Sequence, residues 1–99
     1  MSVLLEFSIF PVDKGVSVSP YVARVLTVIR DSGLPFELGP MGTTIEGEWA
    51  EVMGVMTRCF EELRRDSERI YLTAKVDYRR GPSGRLSGKV KSVREKMGS

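Results

Sequence analysis

Histidine, asparagine and glutamine are absent from the 99 residues, and cysteine occurs once, at Cys59. Without histidine and with a single cysteine, the chain cannot assemble the usual zinc ligand sets or a Ser-His or Cys-His nucleophile pair. Catalysis would have to rely on carboxylates, lysines, tyrosines or the lone thiol. These absences predict a binding protein that is not an enzyme and that holds no metal and no cofactor.

Two further absences and the single thiol indicate where the protein is found. The longest uninterrupted apolar runs are only a few residues, too short to span a membrane. The first residues enter a strand pattern directly, without the basic and apolar regions of a secretory leader. Because a lone cysteine cannot form an internal disulfide, it suits a reducing compartment, and we expect a cytoplasmic protein.

The composition is that of one soluble globular domain covering residues 1–99. Fifteen basic residues against thirteen acidic residues give a formal charge of +2. This balance does not by itself predict nucleic-acid binding, because a binding stripe requires the basic residues to cluster on one face.

Two segments alternate between residue types with the period of two that is typical of strands. The predicted core face of residues 3–10 consists of Val3, Leu5, Phe7 and Ile9. The predicted core face of residues 70–80 consists of Ile70, Leu72, Ala74, Val76 and Tyr78. The opposite faces mix carboxylates, hydroxyls and aromatic rings, so we expect them to be solvated or to line a binding site.

The first helix is predicted to begin at Ser19-Pro20, with Ser19 as the N-cap and Pro20 as the first helical residue. Apolar residues then recur at helical spacing until Gly33, which supplies a left-handed stop. Ser17 and Ser19 are therefore capping residues first. At a helix N-terminus their hydroxyls can also receive a polar or anionic ligand group.

The second and longest helix is predicted over residues 47–67, on the evidence of one apolar stripe. The stripe consists of Trp49, Val52, Met53, Met56, Cys59, Phe60 and Leu63. Because Cys59 lies on it, we expect a buried and inert thiol. After a break at residues 81–84, a short basic helix is predicted over residues 85–97.

Residues 36–47 lie between the first two helices and are the least scaffold-like part of the chain. Gly39-Pro40 and Gly42 prevent one regular strand, so we predict a bent pair of strands. Glycine also permits another group to approach the backbone closely. The threonines and carboxylates of residues 36–47 fit a hydrogen-bonding site, whereas a β-bulge with solvated edges is the competing interpretation.

The order of the predicted elements is strand, helix, two strands, helix, strand and helix. This is an α+β, ferredoxin-like βαββαβ fold with an antiparallel sheet and an added C-terminal helix. Two helices cover one face of the sheet, and an open, mixed second face in so small a domain suggests self-association or ligand binding.

Three runs of the sequence resemble the thiamine-binding protein family, small ferredoxin-like proteins of about this length. They are Ser17-Val18-Ser19-Pro20-Tyr21-Val22, then residues 36–47 with their Gly-Pro-Met-Gly-Thr-Thr-x-Glu core, then Lys89-Val90-Lys91-Ser92-Val93. The resemblance covers essentially the whole chain, and the glycine-containing core is its most specific part.

The resemblance implies a non-enzymatic protein that binds thiamine or its hydroxymethylpyrimidine portion. It also implies a dimer or tetramer with ligand near the subunit interfaces. Matching motif positions carry over the ligand-binding residues Ser17, Ser19, Met41, Gly42, Thr43, Thr44 and Glu46. A carboxylate at Glu6, Glu37 or Glu46 would favour the cationic thiazolium ring of thiamine.

Other functions share this order of elements. An RRM-like nucleic-acid-binding module stacks bases on aromatic residues of the central strands, and the characteristic RRM signature is missing here. A purely structural oligomer would also account for an open sheet face. An enzyme of the acylphosphatase type requires an arginine in the loop after the first strand and an asparagine, whereas this chain has Lys14-Gly15 there and no asparagine.

Overall fold

The computed structural model describes residues 2–81 and 84–98, which form one antiparallel sheet and three helices. The elements are β1 (Ser2–Pro11), α1 (Ser19–Asp31), β2 (Phe36–Leu38), β3 (Thr43–Gly47), α2 (Trp49–Arg64), β4 (Ile70–Arg79) and α3 (Arg85–Lys96). The strand order is β2-β3-β1-β4. The predicted ferredoxin-like fold with an added C-terminal helix is confirmed. Of the predicted break before α3, Pro82 and Ser83 lie outside the described residues.

The core lies between one face of the sheet and the helices α1 and α2. Strand β1 is central, and its predicted inward residues are all buried: Val3, Leu5, Phe7 and Ile9. The helices contribute Val25, Ile29, Val52, Val55, Cys59 and Leu63. Each fully buried aliphatic side chain stabilises the fold by about 1.5–3 kcal/mol relative to an exposed one, so this cluster is the main source of stability.

Helix α1 begins one residue earlier than the sequence pattern predicts. Val18 is the N-cap, and its carbonyl oxygen accepts hydrogen bonds of 3.0 Å from the backbone N–H groups of Tyr21 and Val22. No side chain caps this end, so the prediction that Ser19 is the N-cap is wrong. The reason is local: Val18 already has a near-helical backbone, with φ −108° and ψ 0°, which makes Ser19 the first helical residue.

Helix α2 begins at Trp49, because the preceding residue, Glu48, is extended, with φ −72° and ψ 157°. The backbone N–H of Glu48 donates to Oε1 of Glu51 at 2.9 Å, which fixes the start of the helix. Trp49 and Phe60 were predicted on the apolar stripe but are exposed, and Val55 is buried instead. The stripe therefore faces the sheet along a line rotated towards Val55, with Trp49 and Phe60 on its flank.

Strand β4 keeps its predicted facing, but its side chains are not buried. Val76 lies opposite Leu5, and Leu72 lies opposite Ile9, so their side chains share the face covered by α1 and α2. However, β4 is an edge strand that packs against the core only at Ile70, whereas Leu72, Val76 and Tyr78 are 37%, 40% and 53% exposed. The prediction that this row belongs to the core is wrong from Leu72 onwards and holds for Ile70, since alternation reports the face of a sheet and not its coverage.

Cys59 is buried between α2 and α1, as the apolar stripe predicts. Its Sγ lies 3.8 Å from the backbone carbonyl oxygen of Val25 on α1. Burial raises the pKa of the Cys59 thiol to about 12, because the thiolate would lose its hydration. The group is therefore protonated and shielded at neutral pH.

We expect the Cys59 thiol of the native protein to react with a disulfide reagent at pH 8 at least about 10³-fold more slowly than free cysteine, in proportion to its smaller thiolate fraction. The same protein in concentrated guanidinium chloride serves as the control and should react at the ordinary rate. Rapid, stoichiometric reaction of the folded protein would contradict the burial of this residue.

Candidate ligand-binding groove

The sheet face opposite α1 and α2 is only partly open, because α3 lies across one end of it. Leu4 on β1 and Glu46 on β3 point towards this face, yet they are 7% and 4% exposed. Ser2, at the start of β1, is also buried. The remaining part of the face, towards the middle of the sheet, stays accessible beside α3.

A buried carboxylate holds the first turn of α3 against the sheet. Oε2 of Glu46 accepts a hydrogen bond of 2.9 Å from the backbone N–H of Arg85, and Oε1 accepts one of 3.3 Å from the backbone N–H of Leu86. Burial alone would raise the pKa of Glu46, but hydrogen bonds from these backbone donors outweigh it and lower the pKa below its usual range. The ionised carboxylate is thus the cap of α3.

The Arg85 side chain makes the second attachment between α3 and the sheet. Its Nε donates to Oγ of Ser2 at 2.9 Å, and its Nη2 donates to the backbone carbonyl oxygens of Ser2 and Asp77 at 3.1 and 2.9 Å. One turn further, Nζ of Lys89 pairs with the Asp77 carboxylate. This hydrogen bond from Lys89 is the main reason that the pKa of Asp77 is lowered.

A groove of about 480 Å³ lies between α3 and the sheet, and its far side is formed by the edge strand β2. Its lining residues are Leu4, Glu6, Glu37, Leu38, Gly39, Gly42, Thr44, Lys75, Val76, Asp77, Leu86, Lys89 and Val90. The volume falls within the range of small-molecule sites, about 300–1,000 Å³. The mixture of apolar walls and a few polar groups also fits a small organic ligand.

The charges in this groove favour a cation. Lys75 pairs with Glu6, with 3.1 Å between Nζ and Oε1, and Lys89 pairs with Asp77. Glu37 is exposed, and no hydrogen bond or ion pair to its side chain occurs among residues 2–81 and 84–98. Its lining therefore has three carboxylates and two ammonium groups, and Asp77 is also paired with the Arg85 guanidinium at 3.5 Å. Glu37 is thus the one lining carboxylate without a cationic partner among the described residues.

The turn that connects β2 to β3 forms one wall of the groove. The backbone N–H of Gly39 donates to the carbonyl oxygen of Gly42 at 2.8 Å. A Cβ atom on Gly42 would lie 3.1 Å from the carbonyl oxygen of Phe7, and one on Gly39 would lie 3.0 Å from the carbonyl oxygen of Gly42. Both glycines thus fit a turn in which the backbone packs too closely to accept a Cβ atom without a small shift.

The family model described as thiamine-binding protein matches residues 5–94. A UPF0045 protein of Mycobacterium bovis is 42% identical over 94 residues, which are 94% of this chain and 92% of that protein. The chain belongs to the thiamine-binding protein family. The resemblance noted from its three sequence runs is thereby confirmed.

Solved structures agree with this assignment. A hypothetical protein from Methanocaldococcus jannaschii has a TM-score of 0.87 and 31% identity, covering 95% of this chain and 97% of that one. A candidate thiamine biosynthesis or salvage protein from Thermotoga maritima has a TM-score of 0.78 and 23% identity, covering 92% and 99% of the two chains. At this lower identity the second likeness shows the fold alone.

Five of the seven predicted ligand-binding residues lie in the β2–β3 turn or on β3, where they occupy three different places. Gly42 and Thr44 line the groove. Met41 and Thr43 line a smaller cleft of about 290 Å³ on the α1 side of the sheet, together with Gly42. Glu46 lies under α3. The structure therefore brings Gly42 and Thr44 together in the groove, whereas Thr43 points to the other face of the sheet.

Ser17 and Ser19 lie apart from the groove, exposed at the start of α1. The residue between them, Val18, lines the smaller cleft beside Met41 and Thr43. The start of α1 and the β2–β3 turn are thus neighbours, as their joint prediction as site residues requires. A ligand contact from any of the seven predicted residues stays a prediction.

Sequence reasoning did not select Leu86, Lys89 and Val90, the residues by which α3 closes the groove. Their helical spacing indicated a docked helix, but nothing in the local pattern identified the sheet face on which it docks. No cluster of three or more metal-binding side chains occurs among the described residues. In the same part of the chain, no helix is both long and apolar enough to cross a membrane.

Replacement of Glu46 by Gln is expected to lower the free energy of unfolding by about 1.5–3 kcal/mol at pH 7, because the N–H groups of α3 lose a charged acceptor. Since the folded-state pKa of Glu46 is lowered, its contribution is complete above the glutamate pKa of about 4.3 and is lost as pH falls through the lower folded value.

Denaturant titrations between pH 7 and pH 2.5 measure this contribution, and amide exchange at Arg85 and Leu86 reports directly on the cap. The control is Glu61→Gln, which changes an exposed carboxylate on α2 and should have little effect. Equal stabilities of the wild type and Glu46→Gln across this range would refute the capping role.

Proposed function

We propose that this protein binds thiamine or its hydroxymethylpyrimidine portion in the groove beside α3, without transforming it. The proposal rests on one observation, the 480 Å³ groove with the unpaired carboxylate of Glu37, in a chain that belongs to the thiamine-binding protein family. A groove of this size accepts a ligand of two linked rings. We further propose a cytoplasmic location, in keeping with the single, unpaired Cys59.

The two ends of thiamine fit different parts of the groove. The thiazolium ring is a cation, so the unpaired Glu37 carboxylate on β2 and the Glu6 carboxylate on β1 favour it electrostatically. An aminopyrimidine has ring acceptors and an exocyclic donor in one plane. The Thr44 hydroxyl can both donate to and accept from it, while Leu86 and Val90 supply apolar contact with its faces.

Calorimetric titration of the purified protein, at tens of micromolar, tests the proposal with thiamine, hydroxymethylpyrimidine and thiamine diphosphate as separate ligands. We expect heat of binding with thiamine and with hydroxymethylpyrimidine. Glu37→Gln should weaken thiamine about two- to fivefold, as expected for a solvent-exposed ion pair, and leave the neutral pyrimidine unchanged.

Glu61→Gln on α2 is the matched control, because it removes the same charge from the side of the molecule away from the groove. Absence of heat with all three ligands would exclude the proposed function for this chain. Equal weakening of thiamine by the two variants would instead exclude the groove as the place where its cation lies.

We also propose that the protein is a homo-oligomer, a dimer or a tetramer. The observation in favour is that both edge strands expose apolar side chains on the face that α1 and α2 cover elsewhere. Leu72 and Val76 do so on β4, and Phe36 and Leu38 do so on β2. Extension of the sheet across an edge would pair free backbone groups and bury these side chains.

Light scattering after size-exclusion chromatography should give a mass of two or four times the 11.1 kDa chain. Leu72→Lys should raise the dissociation constant at least about tenfold, because assembly would bury an unpaired charge. Thr73→Lys, on the opposite face of the same strand, is the control. A wild-type mass of one chain, or equal effects of the two variants, would contradict assembly through this row.

A further inference from the structure

The positive charge of this protein is concentrated at its C-terminal end. From residue 78 onwards the sequence has seven basic residues and one acidic residue, a net charge of +6, whereas residues 1–77 have eight basic and twelve acidic residues, a net charge of −4. We call the seven cations the C-terminal basic surface: Arg79, Arg80, Arg85, Lys89, Lys91, Arg94 and Lys96. They come from the end of β4 and from α3.

Two of these cations form ion pairs that hold α3 on the sheet, and four others are exposed and have no carboxylate partner among the described residues. Arg85 and Lys89 are paired with Asp77. Within residues 2–81 and 84–98, no carboxylate forms an ion pair with Arg79, Arg80, Lys91 or Lys96, and all four are exposed. About four positive charges, two at the end of β4 and two on α3, therefore remain without local neutralisation.

The shape of this surface suits a chain of phosphates. A groove of about 660 Å³ runs between α3 and the end of β4. Of the four unpaired cations Arg79 lines it, together with Gly88, Ser92 and the paired Arg85, Lys89 and Asp77. Small residues between the cations permit close approach of a backbone, and serine hydroxyls donate to phosphate oxygens. A helix of the length of α3, 12 residues, extends about 18 Å and so spans about five phosphates of one duplex strand.

We propose that the C-terminal basic surface binds the phosphate backbone of a nucleic acid, beside the ligand-binding groove, with which it shares Lys89. An anionic membrane fits this surface less well. Helices that lie on membranes insert an apolar face into the lipid. In α3 the apolar residues Leu86 and Val90 line the ligand groove, which leaves only Val93 and Met97 for such an insertion.

Fluorescence anisotropy with a labelled 20-nucleotide single strand and the matching duplex, between 25 and 200 mM salt, tests the proposal. Four phosphate contacts predict slopes of log affinity against log salt of about −2.8 for the single strand and −3.6 for the duplex. The double variant Lys91→Gln/Lys96→Gln should halve these slopes and weaken binding roughly tenfold per lysine at 50 mM salt.

The matched control is Arg58→Gln/Arg64→Gln, which removes two exposed cations from α2 on the other side of the sheet. It should leave the slope unchanged. No binding to either nucleic acid at 25 mM salt would overturn the proposal, as would equal losses in the two double variants. Sedimentation with phosphatidylserine vesicles in the absence of nucleic-acid binding would overturn it in favour of a membrane.

Discussion

The groove depends on the hydrogen bonds that the buried Glu46 carboxylate accepts from the first turn of α3. A buried charge without partners is costly, and so are the N–H groups that begin a helix when they lack acceptors. Glu46 on β3 accepts hydrogen bonds from the N–H groups at the start of α3, so the buried charge and the helix donors satisfy one another. The Arg85 side chain adds a second attachment, to Ser2 and Asp77. Helix α3 is therefore fixed at one end of the sheet face, and the face beside it remains open as a groove.

The use of Glu46 as a cap changes the interpretation of the glycine-threonine run. Its residues are adjacent in sequence, but they serve different ends: Gly42 permits close packing on the Phe7 carbonyl, Thr43 faces the helices, and Thr44 faces the groove. A direct ligand contact from Glu46 would require α3 to release it. Glu6 and Glu37 line the groove and do not cap α3, so they are better placed to attract a cation.

The sheet is wider than the two helices that cover it, and this mismatch has consequences at both edges. The central strands β1 and β3 bury Leu5 and Ile45 completely, whereas the equivalent positions of β4 stay accessible. An isolated chain thus keeps apolar side chains and unpaired backbone groups in water, a state that edge pairing relieves. The basic α3 lies across the opposite face, so its cations are separate from these apolar rows.

The sequence by itself determined the element types, their order and the facing of each strand, because a period of two or 3.6 follows from backbone geometry alone. It also determined the burial of Cys59, which lies in the middle of a helical stripe. The exposure of Leu72 and Val76 could not be predicted, since it depends on how far α1 and α2 reach across the sheet. The same holds for the groove: only the tertiary structure brings Glu46 to the start of α3, 39 residues away in the chain, and so decides which face is covered.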